Sequence, residues 1–239
     1  ILVIGSEEDY TKIFSSDNSG QGITVLNTNK DSLFKYVDFK GLSRPKKSGF
    51  ELTGSVNFYK SPVHFFETHF EGNIEGDDYL NIIRSDFTIN NSSITNSFAD
   101  AIDIDFSSGS IYDSVFINCG FGNNNGDCID LSGSIIKIDN ISVIKAADKG
   151  ISIGEQSIVE LKNSLIEDSN IALAGKDLSE VIVNDLKIMS SNTGISVFQK
   201  KPEFGPASVT INGLEIENVQ TPYLVEKGSF LSVDTESIR

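Results

Sequence analysis

Asn125-Gly126-Asp127-Cys128-Ile129-Asp130-Leu131-Ser132-Gly133-Ser134 alternates apolar and polar residues through Cys128 to Leu131, then breaks at a Gly/Ser turn. Alternation with a period of two turns one face inward, and β-branched residues favour that half-buried pleat. The same figure recurs as Ala101-Ile102-Asp103-Ile104, Gly150-Ile151-Ser152-Ile153 and Gly194-Ile195-Ser196-Val197. Working outward, each follows an apolar anchor placed three positions after an Asn, Asp or equivalent. The anchors are Phe39, Phe70, Ile94, Phe116, Val143, Ile166, Ile188 and Ile216, at spacings of 31, 24, 22, 27, 23, 22 and 28 residues. The longer spacings read as the same unit with a loop inserted.

Each unit has three parts. A leading alternating strand comes first, as in Val56-Asn57-Phe58, Phe87-Thr88-Ile89, Ile136-Lys137-Ile138, Val159-Glu160-Leu161 and Val209-Thr210-Ile211. A polar bend follows at Asn91, Asp113, Asn140, Asn163, Asp185 or Gly213, then the anchor strand, often with a second corner at Asn96, Asn118, Asp168 or Asn218. Asn, Asp and Gly tolerate the left-handed backbone of a sharp corner. The third part is the alternating strand quoted above.

A unit this short cannot bury its own apolar face, but stacked units can. The expectation is an all-β fold: a right-handed, single-stranded parallel β-helix of about 8–9 coils, each of roughly 22–24 residues. Eight anchors at the spacing of paired strands give a rod about 40 Å long. Right-handedness is expected because the hexapeptide repeats usual in left-handed β-helices are absent. Residues 1–239 form one domain on this reading: 1–21 an incoming strand and cap, 22–233 the coils, 234–239 a tail. Ile1 in place of an initiator methionine points to a processed or excised piece.

The 239 residues carry a formal net charge of -15. That balance opposes nucleic acid and anionic membrane surfaces as partners. No apolar run approaches the ~20 residues of a membrane-spanning helix.

The chain resembles the right-handed parallel β-helix proteins of the pectate-lyase-like superfamily. More narrowly, it is similar to the β-helical region of large secreted bacterial proteins that also carry a CotH-kinase-like domain. The residues behind this are Ser97 to Asp103, Asn125 to Ser134, Asp148 to Glu155 and Gln199 to Gly205. The superfamily implies polysaccharides as ligands or substrates, by analogy of fold. The Gly-His-Gly and Arg-Ile-Lys elements of pectin-hydrolysing members and the Asp-Pro-His of alginate epimerases are missing.

The repeat places side chains in columns about 5 Å apart along the rod. Glu51, Asn81, Asp103, Asp130 and Ser152 are read as one outward column, with Asp78, Asp100, Asp127 and Lys149 at the corner before it. Stacked carboxylates repel, raise one another's pKa or recruit a cation. Ca²⁺, which favours several carboxylate oxygens, is the natural counter-ion, with Asp78, Asp100, Asp103, Asp127 and Asp130 as its candidate ligands. The alternative is a solvated acidic face whose aspartates serve the corner backbone.

Three insertions flank this face: Ser43 to Ser48 with Arg44, Lys46 and Lys47, the Asn/Gly-rich Gly120 to Gly126, and Gln199 to Ala207. Asp100, Asp127, Lys149, Lys200, Lys201 and Phe204 are the candidate glycan contacts, with Phe121 or Tyr79 as further stacking rings. The plainer reading makes these ordinary loops, with Phe204 folded back as a plug. His64 and His69, without a third ligand type nearby, read as structural. Cys119 and Cys128 bracket the Asn-rich loop; either a disulfide clamps it, or Cys128 fills a column that requires small residues.

The leading expectation is a non-catalytic β-helix module of a larger secreted or surface protein, presenting a face to polysaccharide or cell-surface glycan, or acting as a rigid spacer. The alternative is a polysaccharide lyase or glycoside hydrolase working through the Asp strip, with Lys149, Asp103 and Asp130 as candidate catalytic residues. A third reading is a fibre-forming or adhesion protein, its open ends meeting neighbouring domains or further copies of the chain.

Overall fold

The computed structural model of this chain describes every residue except Asn123 and Arg239. All regular structure among the described residues is β, wound as a parallel solenoid of about nine turns. Three ladders run its length. The lead ladder begins at Leu2–Ile4 and passes through the first half of Ser32–Lys40, the first half of Val63–Glu71, Asp86–Asn90, Ser108–Tyr112 and Ile135–Asp139, to end at Phe230–Val233. The anchor ladder begins at Thr11–Phe14 and includes Ser93–Thr95 and Val115–Cys119. The acidic ladder runs from Ile23–Leu26 through Gly54–Tyr59, Asp78–Ile83, Asp100–Asp105 and Ile129–Ser132 to Thr193–Phe198 and Thr221–Val225.

All eight anchors fall in one in-register column, Phe39–Phe70–Ile94–Phe116–Val143–Ile166–Ile188–Ile216. The bend between lead and anchor strands is left-handed at six successive turns, with φ of 48° at Asn91, 48° at Asp113, 55° at Asn140, 46° at Asn163, 61° at Asp185 and 74° at Gly213. The second corners Asn96, Asn118, Asp168 and Asn218 share that conformation. The bend residues therefore do the work expected of Asn, Asp and Gly.

One strand is displaced from its expected place. Val56-Asn57-Phe58 pairs with Leu80-Asn81-Ile82, which puts it in the acidic ladder and not the lead ladder. The cause is the preceding insertion. Lys46–Lys47 and Phe50–Glu51 form a small antiparallel hairpin, so the long corner ends one strand later than the average spacing suggests. Glu51 belongs to that hairpin, and Asn57 takes the column position above Asn81.

The core changes character along the rod. Phe34, Phe39, Phe58, Phe65 and Phe70 fill the early turns and are buried, with Phe39 and Phe70 stacked at 4.6 Å. Later turns use Ile, Val and Leu. Where the chain leaves the acidic ladder, the freed N–H groups meet a column of buried serines. Ser61 N–H donates to Ser85 Oγ, Ser85 to Ser107, Ser107 to Ser134, and Ser134 to Ser157, at 2.9–3.1 Å. Buried corner amides without such partners would be costly. At the far end Glu236–Ile238 folds back antiparallel onto Phe230–Val233.

Candidate functional site

The corner that opens the acidic ladder explains why aspartate recurs there. Asp127 N–H donates to Asp100 Oδ1 at 2.7 Å, and Lys149 N–H donates to Asp127 Oδ1 at 2.9 Å. Each carboxylate thus satisfies the first amide of the next turn. Because the turns are in register, this structural duty stacks carboxyl groups: Asp78 pairs with Asp100, and Asn81, Asp103, Asp130 and Ser152 follow one another in a neighbouring column.

Within the stack, Asp100, Asp127 and Asp130 each offer a carboxylate oxygen within 4.8 Å of the others. Asp78 and Asp103 are joined differently, through Asn81 Nδ2, which donates to Asp78 Oδ2 at 3.2 Å and Asp103 Oδ2 at 2.9 Å. The five expected aspartates therefore form a trio and an amide-bridged pair. Among the described residues, Oδ1 of Asp130 and the hydroxyl of Ser152 are buried with no hydrogen-bond partner.

Burial dominates the ionisation of this face. It raises Asp78 to about 7, helped by the nearby charges of Asp77 and Asp105. Asp100 goes to about 9, with Asp127 adding repulsion, and Asp103 to about 10, with Asp78 and Asp105 adding theirs. Asp105 is also raised, by burial and Asp130. Asp127 reaches only about 6, because the Lys149 ammonium offsets part of its burial. A low-dielectric surround disfavours the charged carboxylate, and like charges deepen the effect.

Lys149 Nζ lies 3.3 Å from Asp127 Oδ1 and also contacts Asp148 Oδ2. Burial alone would lower this amine, yet Asp127 and Asp148 more than reverse that and hold it as the ammonium. An ammonium held this firmly is a charge partner and a poor proton acceptor.

Several members of the site escaped sequence reasoning. Lys176 is almost wholly buried, and its Nζ sits 3.6 Å from Asp130 Oδ1. Its stem passes over Gly154, where an added Cβ would sit 2.8 Å from Lys176 Cε. Glu155 accepts from Ser132 Oγ and pairs with Lys201 Nζ. Burial works against the Glu155 carboxylate, but Lys201 and Ser132 outweigh it and lower its pKa. The signal in the sequence is Gly154, a position without a side chain in register with Ser132 and next to the charged Glu155.

The flanking loops are held by specific hydrogen bonds and ion pairs. Lys200 and Lys201 N–H groups both donate to the buried Asp177 Oδ1 at 2.7 Å. Gln199 Nε2 closes the loop on the carbonyls of Lys201 and Phe204, and Phe204 is half-buried. Arg44 is engaged by Glu51 and Glu75. Tyr79 is unavailable to any ligand: it lies in the core, its hydroxyl donating to the carbonyls of Phe39 and Glu71. It sits at the corner where the alternation of Leu80 and Ile82 does not yet hold and is turned into the core, so the expected stacking role is withdrawn. Phe121 is exposed on its loop.

Cys119 and Cys128 are bonded, with Cα atoms 5.3 Å apart, clamping the loop that delivers Asp127. His64 and His69 stand on different ladders. His64 Nε2 faces Asp31 at 3.6 Å, while His69 Nδ1 meets Ser93 Oγ at 2.9 Å and its ring stacks on Tyr10.

Fold and site together define a parallel β-helix protein with one acidic lateral face. No protein-family model matches the chain, and no curated protein matches it. Among solved structures it is similar to the catalytic domain of a GH87 alpha-1,3-glucanase in complex with tetrasaccharides: 12% identity over 94% of this chain, with a TM-score of 0.46. The chain spans 58% of the length of that domain. It is also similar to an alginate lyase from Paenibacillus, with 11% identity, 90% of this chain and 99% of that one covered, and a TM-score of 0.40. A third likeness is to tailspike protein 3 of bacteriophage CBA120, at 10% identity over 97% of this chain and 50% of that one, with a TM-score of 0.40. The narrower likeness to CotH-kinase-associated β-helices rests on the quoted motifs alone. No helix among the described residues is long and apolar enough to cross a membrane.

Proposed function

We propose that this chain is a polysaccharide-contact module of a larger extracellular or cell-surface protein, and that the acidic ladder is its contact face. The observation that carries the reading is the in-register stack of Asp78, Asp100, Asp103, Asp127 and Asp130, in which burial keeps Asp100 and Asp103 protonated at neutral pH. A protonated carboxyl both donates and accepts hydrogen bonds, which suits sugar hydroxyls. Lys149, Lys200, Lys201 and Phe204 border the face. The disulfide fits an oxidising compartment.

A second reading has one observation in its favour. Asp100 and Asp127 offer oxygens within 4.8 Å of each other, one held protonated and the other at about 6. Such a pair meets the charge requirement of glycoside hydrolysis, in which an acid and a carboxylate flank one bond. On this reading Asp103 and Asp130 shape the pair's field and Lys149 supplies charge. The same pair with Asp130 supplies the oxygen donors that Ca²⁺ takes.

Incubating the intact chain with acidic and neutral polysaccharides, with and without Ca²⁺, separates these readings. Retention without change of chain length is expected. Shortened products that vanish in Asp100→Asn and Asp127→Asn would replace the binding module by an enzyme. Neither retention nor cleavage across the panel would leave the rigid-spacer or self-assembly role, which sedimentation at several concentrations would then decide.

A further inference from the structure

A different face carries a second site. On the first turns of the anchor ladder, Ile13, Phe39 and Phe70 point inward, while the residues beside them point out in two columns. Lys12, Asp38 and His69 form one column, and Phe14, Lys40 and Glu71 the other. Beyond the second column the corner is glycine at Gly41 and Gly72, both with left-handed φ (64° and 55°). The next two turns fill that position with Asn96 and Asn118, whose side chains bond each other at 2.7 Å. Missing side chains at two successive corners leave a groove of about 890 Å³. That volume lies within the usual range of small-ligand sites.

The lining is of two kinds. Phe14 is 61% exposed and Ile74 41%, so each presents apolar surface to the groove from opposite sides of the corner. Around them stand two cations, Lys12 and Lys40, and two anions, Asp38 and Glu71, with Lys40 and Glu71 paired at 2.8 Å. Balanced charge gives no preference for an ionic polymer, unlike the acidic face. An accessible aromatic ring bordered by donors and acceptors matches a ligand with an apolar ring face and a hydroxyl rim.

We infer that this groove is a second glycan-binding site, taking a neutral oligosaccharide with one sugar ring against Phe14 and its hydroxyls on Lys40, Glu71 and Asp38. It lies on a different ladder from the acidic face and does not depend on that face binding glycan.

The test titrates the intact chain with neutral gluco-, manno- and galacto-hexasaccharides, by calorimetry and saturation-transfer NMR. At least one binds, and Phe14→Ala weakens it by about tenfold or more, the loss of one well-packed contact of about 1.4 kcal/mol, with an unchanged circular dichroism spectrum. Lys40→Ala, at an exposed position that does not support the fold, weakens it as well. Asp103→Asn leaves groove binding in place whether or not the acidic face retains polysaccharide, so the two proposals fail separately. The inference is overturned if no neutral hexasaccharide binds, or if Phe14→Ala binds as well as the parent. It is equally overturned if Phe14→Ala abolishes a concentration-dependent dimer, which would make the groove an interface between copies.

Discussion

The acidic face and the Phe14 groove are built on the same coil and use different positions of the corner leading into the acidic ladder. In the middle turns that corner carries Asp100 and Asp127, which bond the next amide and become buried in doing so. In the first turns the anchor strands end at Gly41 and Gly72, and space opens beside them. One region holds charge under strain of burial, and the other holds balanced, solvated charge around an exposed ring. A repeat of fixed geometry thus carries two chemistries at two different corner positions: glycine in place of Asn96 and Asn118 opens one, and stacked aspartate at the other is buried.

The sharpest way to break the comparison is to remove one lysine from each region. Lys149→Met leaves the buried Asp127 without its partner and should cost about 3 kcal/mol in urea unfolding, with the Asp127 pKa rising further. Lys40→Met, whose pair with Glu71 is exposed, should change stability by less than about 0.5 kcal/mol. Equal effects would show that the acidic face is as solvated as the groove.

A smaller effect follows from pH. Asp78, Asp100, Asp103 and Asp127 have folded pKa values raised above the unfolded one. The folded state then binds more protons, so the stabilisation is complete below about pH 4 and is lost as pH rises through the folded values. Thermal stability should fall between pH 5 and 9. Asp103→Asn, an uncharged near-isostere, should flatten that fall and raise Tm at pH 8 by about 3 °C. Should Ca²⁺ occupy the trio, it would restore stability at pH 8 and have little effect at pH 5, a difference readable in the same melts.

The smallest effect concerns the bends shared by both regions. Asn163 sits at φ 46°. Asn163→Ala should cost about 1 kcal/mol because alanine keeps the Cβ that opposes left-handed backbone and lacks the short polar side chain that offsets it in asparagine, whereas Asn163→Gly should stay within a few tenths. A similar cost for both would assign the position to its hydrogen bond with Asp139 instead.

The fold was legible because its rules are local. Alternation marks the strands, Asn, Asp and Gly mark the bends, and the anchor column came out in register from Phe39 to Ile216. Reading slipped where local rules give way to insertions. The hairpin around Glu51 moved Val56 to Phe58 into another ladder, and period-two counting gave no sign of Tyr79 turning inward. The serine column was also missed, since a serine just before a strand looks like any turn residue until the turn above is stacked on it.

The order of residues along the chain was enough to specify strands, bends, the stacking of Asp100 with Asp127 and Asp103 with Asp130, and the acidic balance, because each follows from spacing within one repeat. Contacts between turns were not contained in that spacing. Folding alone decided that Asp100, Asp127 and Asp130 converge while Asn81 holds Asp78 and Asp103, that Lys176 reaches back across Gly154 to Asp130, and that Cys119 bonds Cys128. Burial, which sets the protonation of those carboxyls, is a property of the stacked rod and has no counterpart in a single coil.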